Sequence, residues 1–333
     1  MEQLLGDLAP LLAAYPLPEL RGQRLFITGA TGFMGYWLLL AIHCLNRNSA
    51  GIQVHALSRD PEAFLARRPE CQEMEWLTWV QGDARDYSFP PARFDAILHG
   101  AADTSPEAAR HAEELKADIV VGTRHVLDHA TACGAKRILL LSSGTVYGEQ
   151  PETLTRLEES APCSAEPSSK LDGYLAGKRI MESLALSQAH KPEPVIARCF
   201  AFVGYGLPSH LAVGQFIRDA KENAEIAVNG DGRPVRSFLY AADLAVWLLA
   251  LLAKGRSGQA YNVGSPNGMP LAEVAATVRD TLAPGKPVVI KGATSNHARQ
   301  RYVPDVRKAE QELGLGVWTQ FPEAIRLTAR ASD

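Results

Sequence analysis

The sequence predicts an α/β protein, with a doubly wound parallel sheet and a smaller C-terminal α/β lobe. In the first half, short apolar segments typical of buried strands alternate with longer helical segments. A Gly-rich turn joins the first of these strands to the helix that follows it. In the second half, the segments at 204–210, 229–236 and 262–270 become rich in Gly and Pro, which predicts a more irregular unit.

The predicted elements follow one another in a regular order. Residues 1–22 predict a short helix that leads into the first strand, at 24–28. A helix is predicted over 33–46, and a longer helical segment over 106–133. Because helices return the chain between strands of the same direction, this alternation predicts a parallel sheet. Its further strands are predicted over 52–57, 76–81, 96–99 and 137–141.

The composition narrows the class of protein. The 333 residues are 46% hydrophobic and 21% charged, which is typical of a soluble globular protein. The net charge of −3 provides no basic surface for nucleic acid or an anionic membrane. The longest apolar run, 245–253, is much shorter than the about 20 residues of a membrane span. The five cysteines are odd in number and lack CxxC spacing, which favours reduced thiols. We therefore expect a soluble cytoplasmic protein.

The Gly-rich turn has the features of a phosphate-binding loop. Gly29 can make the tight turn, Gly32 allows a phosphate close to the backbone, and Gly35 allows the helix to pack on the strand. The helix N-terminus adds free N–H groups and the positive end of a dipole. An ordinary Gly-rich turn is the alternative, but the position between strand and helix favours a Rossmann-type dinucleotide site. The loop is completed by Thr31, Phe33 and Met34.

The end of the second strand bears on the choice of cofactor. A carboxylate there would bind the adenosine ribose, whereas Ser58 and Arg59 suit a 2′-phosphate, so NADP is favoured over NAD. Asp60 can take the ribose role instead, which leaves NAD open. Asp83, followed by Ala84 after the third strand, can accept a hydrogen bond from the adenine amino group or simply form a turn.

Three residues form a candidate catalytic set. Tyr174 and Lys178 are four residues apart and share one face of a helix. A nearby ammonium stabilises a phenolate and so lowers a tyrosine pKa from about 10 towards the range of a general base. Lys178 can also bind the nicotinamide ribose, and Ser143, after the strand at 137–141, can bind the reacting oxygen. A surface pair is the alternative for Tyr174 and Lys178, but the preceding Ser-Ser strand favours proton-coupled hydride transfer.

A metal site is not expected. His125 and His129 have the helical spacing of two zinc ligands, but no third ligand and no HExxH general base accompany them. We therefore predict two histidines on a helix surface.

Together these motifs resemble the extended short-chain dehydrogenase/reductases, in the branch of nucleotide-sugar epimerases and dehydratases. The resemblance covers roughly residues 22–325. It implies catalytic roles for Ser143, Tyr174 and Lys178, and it implies that Arg236 and Arg301 hold the diphosphate of a sugar nucleotide. It also places Ala101 and Ala102 at the cofactor. The matching segments are GATGFMG at 29–35, GD at 82–83, HGAA at 99–102, SSGTVYG at 142–148, YLAGK at 174–178, ARCFAFVG at 197–204, GDGRPVRSFLYAADLA at 230–245 and YNVGS at 261–265.

The chain departs from this family pattern at the position of the catalytic acids. Sugar 4,6-dehydratases of this branch carry Asp-Glu directly after the catalytic hydroxyl residue, and the decarboxylating relatives keep the Glu. Gly144 and Thr145 stand here instead, so the resemblance favours 4-epimerases and 4-ketoreductases. We expect Gly144, Thr145 and Thr104 to contact the substrate with Ser143. Asp118 is a further departure, because relatives usually have Asn there.

The resemblance implies a division into two parts. A Rossmann domain is expected over 20–195 with a returning segment at about 236–264, and a nucleotide-sugar lobe over 196–235 and 265–333. It also implies a homodimer that packs through the helices at 106–133 and 172–190.

The expected function is hydride transfer to or from C4 of a nucleoside-diphosphate hexose with NADP or NAD. Ser58 and Arg59 favour NADPH and hence a 4-ketoreductase over a 4-epimerase, whereas SSGTVYG fits both. A 4,6-dehydratase or decarboxylase-like relative is the alternative. A nonenzymatic NADP-binding regulator is an alternative of another class. We expect no nucleic-acid partner and no membrane partner.

Overall fold

A computed structural model of the chain describes residues 1–163, 173–187, 192–292 and 301–330. These residues form ten α-helices and fourteen strands. The helices are α1 (Glu2–Ala14), α2 (Phe33–Arg47), α3 (Pro61–Arg67), α4 (Ala112–Ala132), α5 (Gly173–Ser187), α6 (Ala212–Glu222), α7 (Ala241–Lys254), α8 (Leu271–Leu282), α9 (Arg307–Leu313) and α10 (Phe321–Arg330). The strands are β1 (Arg24–Thr28), β2 (Gln53–Ser58), β3 (Leu77–Gln81), β4 (Ala96–His99), β5 (Arg137–Ser143), β6 (Glu193–Cys199), β7 (Phe202–Val203), β8 (Ile226–Val228), β9 (Val235–Arg236), β10 (Leu239–Tyr240), β11 (Gln259–Val263), β12 (Met269–Pro270), β13 (Val288–Ile290) and β14 (Arg301–Tyr302).

The main sheet has seven strands in the order β11-β6-β5-β4-β1-β2-β3. The five pairings from β6 to β3 are all parallel. This confirms the predicted α/β fold. The strand order reverses between β1 and β4, and in such sheets a ligand binds outside the carboxyl ends of the strands at this point. The Gly-rich turn follows β1 at this edge.

The core of the sheet forms because apolar strand residues meet apolar helix faces. Phe26, Ile97 and Leu140 of three neighbouring strands belong to one buried cluster. Val126 of α4 and Met181 of α5 complete it. The two helices therefore cover one face of the sheet, and this packing fixes the position of α5, which carries the candidate catalytic residues.

The chain separates into two compact units. The first comprises 1–148, 163–199 and 245–261, and the second comprises 149–162, 200–244 and 262–333. The predicted boundaries differ from these at 149–162, which were expected in the cofactor domain. This segment joins the second unit because Leu157 N donates to Val303 O (2.9 Å) and Asp305 N donates to Leu157 O (2.7 Å). The returning segment is also shorter than the expected 236–264.

The helical segment expected over 106–133 is divided. A 3₁₀ turn at Ala108–Arg110 precedes α4, and His111 between them has non-helical backbone angles. Ser105 supports the start of the short turn, because its hydroxyl accepts a hydrogen bond from Ala108 N (3.2 Å). Of the helix expected over 172–190, residues 172 and 188–190 lie outside the described residues.

None of the helices in the described ranges is sufficiently long and apolar to cross a membrane.

Replacing Gly35 tests the packing of α2 on β1. A Cβ on Gly35 would overlap Gly29 O and would lie 2.5 Å from Ala30 Cα, so we expect Gly35→Ala to lower the free energy of unfolding by about 1–3 kcal/mol. Gly6→Ala is the matched control, because Gly6 lies inside α1 and its Cβ would meet no atom within 4 Å. That control should stabilise by about 0.5–1 kcal/mol. Urea unfolding measures both values, and equal effects of the same sign would contradict this description.

Candidate functional site

The glycine loop approaches the residues after β4 too closely for side chains. Gly29 has φ +77°, and a Cβ there would lie 2.6 Å from the carbonyl carbon of Gly100. By contrast, a Cβ on Gly32 would touch only Gly29 O, at 3.4 Å. Gly29 is therefore required by the fold itself, whereas the open side of Gly32 is available to a ligand.

The loop residues fit a pyrophosphate. Gly32 is exposed and is the N-cap of α2, where it provides no side chain to cap the first N–H groups of the helix. Thr31, Phe33 and Met34 around it are half-buried. Uncapped N–H groups at the positive end of a helix dipole are the donors that a pyrophosphate requires.

A buried histidine holds the ends of β1 and β4 together. Thr28 Oγ1 accepts hydrogen bonds from Gly100 N (3.2 Å) and Ala101 N (3.1 Å), and it lies 2.8 Å from His99 Nδ1. Because Thr28 Oγ1 accepts twice, its own proton goes to His99 Nδ1, and the ring then carries its proton on Nε2, 3.4 Å from Thr123 Oγ1. Sequence reasoning missed this role of His99, although HGAA marked the position.

The residues at the end of β2 are the ones expected to determine whether NADP or NAD binds. Ser58 is buried, and its hydroxyl accepts a hydrogen bond from Asp60 N (3.2 Å). Asp60 caps α3 by accepting a hydrogen bond from Ala63 N (2.9 Å). Arg59 is exposed. Hydrogen bonds from Arg85 and Ser105 lower the pKa of Asp83 and Asp103, respectively, and the charge of Arg59 acts on both carboxyls in the same direction.

Asp83, which is expected to accept a hydrogen bond from the adenine amino group, is bound by Arg85, a residue that sequence reasoning missed. Arg85 donates to Asp83 through Nε (2.8 Å) and to Asp118 through Nη1 (2.8 Å). The hydrogen bonds from Arg85 lower the pKa of Asp83. Asp118 thus has a partner of opposite charge. Ala84 packs near Gly122 of α4, where an added Cβ would lie 3.5 Å from Ala84 Cβ.

The segment after β4 presents backbone and small side chains. Ala101 and Ala102 are half-buried, and Thr104 is exposed. Asp103 Oδ1 accepts a hydrogen bond from Ser105 N (2.9 Å), which closes a local turn. The expected contacts of Ala101, Ala102 and Thr104 with ligands stay predictions.

The candidate catalytic residues gather at the carboxyl end of β5. Lys178 of α5 is 2% exposed, and its Nζ donates to Leu141 O (2.6 Å). The same Nζ lies 5.5 Å from the centre of the Tyr174 ring. Ser143, two residues after Leu141, is 7% exposed, and its hydroxyl accepts a hydrogen bond from Thr145 N (3.2 Å). Both the helix and the strand therefore bring their polar groups to one edge of the sheet.

Burial changes the pKa of Lys178. Loss of solvent lowers the pKa of Lys178 to about 8, while interactions with Cys199 and Glu182 act in the opposite direction. At neutral pH the side chain therefore remains mostly charged. A charged ammonium next to the Tyr174 ring can stabilise a phenolate.

Gly144 and Thr145 form the turn after Ser143. Gly144 is buried, and Thr145 is half-buried. Thr145 Oγ1 is a buried oxygen that forms no hydrogen bond with any described residue. Because buried hydroxyls are normally satisfied, a bound substrate is a suitable partner for this one.

The two arginines expected to share a diphosphate lie in the second unit. In the parallel pairing of β9 with β14, Arg301 lies opposite Val235 and Tyr302 lies opposite Arg236. Residues opposite each other point to the same face of a sheet, so the two arginine side chains leave on opposite faces. This register separates the two guanidiniums. It does not agree with the expectation that both bind one diphosphate from the same face of the sheet.

Arg301 lines a polar cavity of about 530 Å³ within the second unit. Arg156, which sequence reasoning missed, lines the same cavity. Neither of these guanidiniums forms an ion pair or hydrogen bond with a described residue, whereas Arg307 is held by Asp305 and Glu158. The Arg301 face is therefore the better candidate for a diphosphate. The other lining residues include Thr153, Thr155 and Gly268.

Residues 25–264 match the model of the NAD dependent epimerase/dehydratase family. The chain belongs to this family. UDP-glucuronic acid decarboxylase 6 of Arabidopsis thaliana is 28% identical over 91% of this chain and 87% of that protein. Among solved structures, DesIV, a dTDP-glucose 4,6-dehydratase from Streptomyces venezuelae with NAD and TYD bound, is 25% identical with a TM-score of 0.78 over 92% of this chain and 96% of that chain. RMD from Pseudomonas aeruginosa, complexed with NADPH, is 23% identical with a TM-score of 0.74 over 93% of this chain and 99% of that chain.

These findings confirm the predicted family and the Rossmann-type fold. They also confirm the predicted class of cofactor, a nicotinamide dinucleotide, because the family is NAD-dependent. The prediction of an enzyme is confirmed at the level of this epimerase/dehydratase family.

The prediction of two surface histidines on α4 is wrong. His129 is fully buried, with Nδ1 2.7 Å from the Tyr87 hydroxyl, and burial lowers its pKa to about 4. His125 is half-buried, with Nε2 2.7 Å from Tyr87 O. The reason is that this face of α4 packs against the segment after β3, which the helical spacing alone did not reveal. The described residues contain no group of three or more side chains that could hold a metal ion.

His99 makes the stability of this family member depend on pH. Burial lowers its pKa to about 3, whereas an unfolded histidine titrates near about 6.5. Between these values the unfolded state binds the proton, so stability falls as the pH falls below about 6.5. Burial lowers the pKa of His129 as well, so His129 contributes to the pH dependence in the same direction. The contribution of His99 is therefore obtained by comparing the wild type with His99→Gln.

The measurement is urea unfolding of the wild type and His99→Gln between about pH 7 and pH 4.5. We expect the stability advantage of the wild type to shrink as the pH falls. An advantage that stays constant over this range would contradict a neutral, buried His99.

Proposed function

We propose that this chain is a nucleotide-sugar 4-ketoreductase that transfers a hydride from NADPH to C4 of a nucleoside-diphosphate sugar. The observation that carries the proposal is the gathering of Ser143, Tyr174 and Lys178 at the carboxyl end of β5. A buried ammonium beside a tyrosine ring is an arrangement for proton transfer, and a serine at the strand end can hold the oxygen that receives the proton.

Each residue has a separate task in the proposed reaction. The nicotinamide, when bound, supplies the hydride. Tyr174 donates its phenolic proton to the oxygen on C4, and the ammonium of Lys178 stabilises the phenolate that remains. Ser143 orients the same oxygen through its hydroxyl. Proton and hydride reach the two ends of one C–O bond, so the carbonyl becomes a hydroxyl.

The residues after Ser143 favour hydride transfer without a further elimination step. Gly144 and Thr145 carry no carboxyl group, so neither can transfer a proton as an acid does. A dehydratase or a decarboxylase is the second candidate, because the similar proteins include a UDP-glucuronic acid decarboxylase and a dTDP-glucose 4,6-dehydratase. Mass analysis of the product separates the candidates, since loss of water or CO₂ accompanies only the second.

NADPH is proposed because of the residues after β2. Asp60 caps α3, which occupies the carboxylate that would otherwise bind a ribose. Arg59 is exposed directly after β2, where its guanidinium can bind a 2′-phosphate. The proposed substrate is a nucleoside-diphosphate sugar whose diphosphate meets Arg301 and Arg156.

We also propose a homodimer that packs through α4 and α5. Val121, Ile180 and Leu186 are large apolar residues on these helices, with exposed fractions of 45%, 38% and 49%. Exposed apolar side chains on two neighbouring helices are typical of a surface that a partner covers.

The variant Tyr174→Phe tests the proposed acid. Loss of the hydroxyl removes the proton donor, so turnover of a C4-keto sugar nucleotide should fall by about a thousandfold or more, within the range for a lost acid–base group. The affinity for NADPH should change little, because the ring remains. Tyr15→Phe at the end of α1 is the matched control and should keep full activity. Unchanged turnover in Tyr174→Phe would remove Tyr174 from the mechanism.

The variant Arg59→Ala tests the choice of NADPH. Loss of one charge-assisted bond to the 2′-phosphate should raise the Kd for NADPH about tenfold, which corresponds to about 1.4 kcal/mol, and should leave the Kd for NADH nearly unchanged. Arg67→Ala, at an exposed arginine in α3, is the control. Isothermal titration calorimetry of the wild type and of both variants with each cofactor gives the six Kd values. Tighter binding of NADH than NADPH by the wild type, or equal losses for both cofactors, would refute the assignment.

A further inference from the structure

A buried network of charged and hydroxyl groups adjoins the candidate catalytic residues. The Ser142 hydroxyl donates to Glu182 Oε1 (2.5 Å). Arg198 donates to both carboxylate oxygens of Glu182, through Nη2 to Oε2 at 2.8 Å and through Nε to Oε1 at 3.1 Å. Arg198 Nη1 also donates to the Tyr147 hydroxyl (2.9 Å). The Glu182 and Arg198 side chains are only 10% and 13% exposed, so the pair is removed from solvent.

The members of this network belong to the elements that carry the catalytic residues. Ser142 on β5 and Arg198 on β6 lie opposite each other in the sheet. Glu182 follows Lys178 by one turn of α5, on the same face of the helix. Tyr147 ends the 3₁₀ turn at Gly144–Tyr147.

The network therefore connects two pieces of the site that are far apart in sequence. Ser143 is the N-cap of the 3₁₀ turn, so the position of the turn decides the position of the Ser143 hydroxyl. Tyr174 and Lys178 move with α5. Arg179 adds a second tie between the two pieces, because its Nε donates to Val146 O (2.9 Å) within the turn.

Stability alone does not explain such a network. Two buried charges lose their hydration, and a buried ion pair is often no more stabilising than apolar residues of similar volume. Removal of one partner is costly because it leaves the other charge buried and unpaired. The geometric effect of the network is distinct, since a bidentate pair fixes both distance and orientation between helix and strand.

We propose that Glu182, Arg198 and Tyr147 are positioning residues that hold the Ser143 turn in register with the Tyr174–Lys178 face of α5. The proposal rests on the proposed function for its catalytic consequence. None of the three needs to touch the substrate. They act through Ser143, Tyr174 and Lys178, whose relative positions decide whether proton and hydride transfer can occur together.

The charge of Glu182 gives this role an observable that does not depend on turnover. The titratable groups that act on buried Lys178 are Glu182 of α5, Cys199 of β6 and His99 of β4, and the Tyr174 ring lies beside it. Glu182 raises the pKa of Lys178. Its replacement by Gln should therefore move the titration of Lys178 to lower pH, and with it the alkaline limb of the kcat profile.

The experiment compares three variants with the wild type in the full chain. Glu182→Gln removes the charge of Glu182. The double variant Glu182→Leu/Arg198→Met removes both charges of the pair, so neither partner is left buried without the other. Tyr147→Phe removes the hydroxyl that accepts the hydrogen bond from Arg198 Nη1 and keeps the ring. Glu193→Gln is the control, because Glu193 lies half-exposed at the other end of β6. The probes are NADPH with one C4-keto sugar linked to UDP and one linked to dTDP.

Four quantities are measured: the thermal midpoint, kcat, KM and the titration of Lys178 by NMR of ¹³Cε-labelled lysine. We expect the double variant to unfold within about 4 °C of the wild type, with kcat reduced about tenfold to a hundredfold and KM little changed. Tyr147→Phe should lower kcat in the same direction with an unchanged midpoint. Lys178 should titrate at lower pH in Glu182→Gln, and Glu193→Gln should match the wild type.

A double variant that folds and keeps the wild-type kcat would overturn the proposal. If the double variant does not fold, Tyr147→Phe and Glu182→Gln decide, and an unchanged kcat in the first with an unchanged Lys178 titration in the second would also overturn it. Absence of turnover by the wild type with both probes would count against the proposed function. The Lys178 titration would then test the proposed network independently of turnover.

Discussion

The candidate site depends on one constraint, which is that the ammonium of Lys178 must be satisfied away from water. Its Nζ is bound to Leu141 O at 2.6 Å, and this bond joins α5 to the strand that ends in Ser143. A buried cation also needs negative charge nearby, and Glu182 provides it from the next turn of the same helix. Three features fix the position of the Lys178 ammonium. They are the packing of α4 and α5 on the sheet, the bond to Leu141 and the Glu182–Arg198 pair.

Sequence reasoning succeeded where the signal was local. The bounds of β1 and β4 match their predicted ranges, because short apolar runs between turn residues mark buried strands. Spacing alone placed Tyr174 and Lys178 on one helix face, and the loop at Gly29–Gly35 follows from the need for close backbone approach. Sequence reasoning failed where the outcome depended on packing between distant segments. The burial of His129, the pairing of Glu182 with Arg198 and the opposite faces of Arg236 and Arg301 arise only after the elements assemble.

Membership of the epimerase/dehydratase family leaves several reactions open, because one fold can carry different reactions that depend on the side chains at the site. In this chain the positions after Ser143 hold Gly144 and Thr145. The unpaired Thr145 hydroxyl favours a substrate contact, and the lack of a carboxyl favours a reaction that ends with hydride transfer. The similar proteins include a decarboxylase and a dehydratase, so an analysis of the product is needed to decide among these reactions.

The most direct test of the account follows a single hydride. Purified protein would be mixed with NADPH deuterated at the transferable position and with C4-keto sugars linked to UDP or dTDP, and the products would be analysed by mass spectrometry and NMR. A C4 ketoreductase should give a sugar nucleotide that carries deuterium on C4 and has lost neither water nor CO₂. A product without deuterium on C4, or one formed with loss of water or CO₂, would contradict the assignment of this site to C4 ketoreduction.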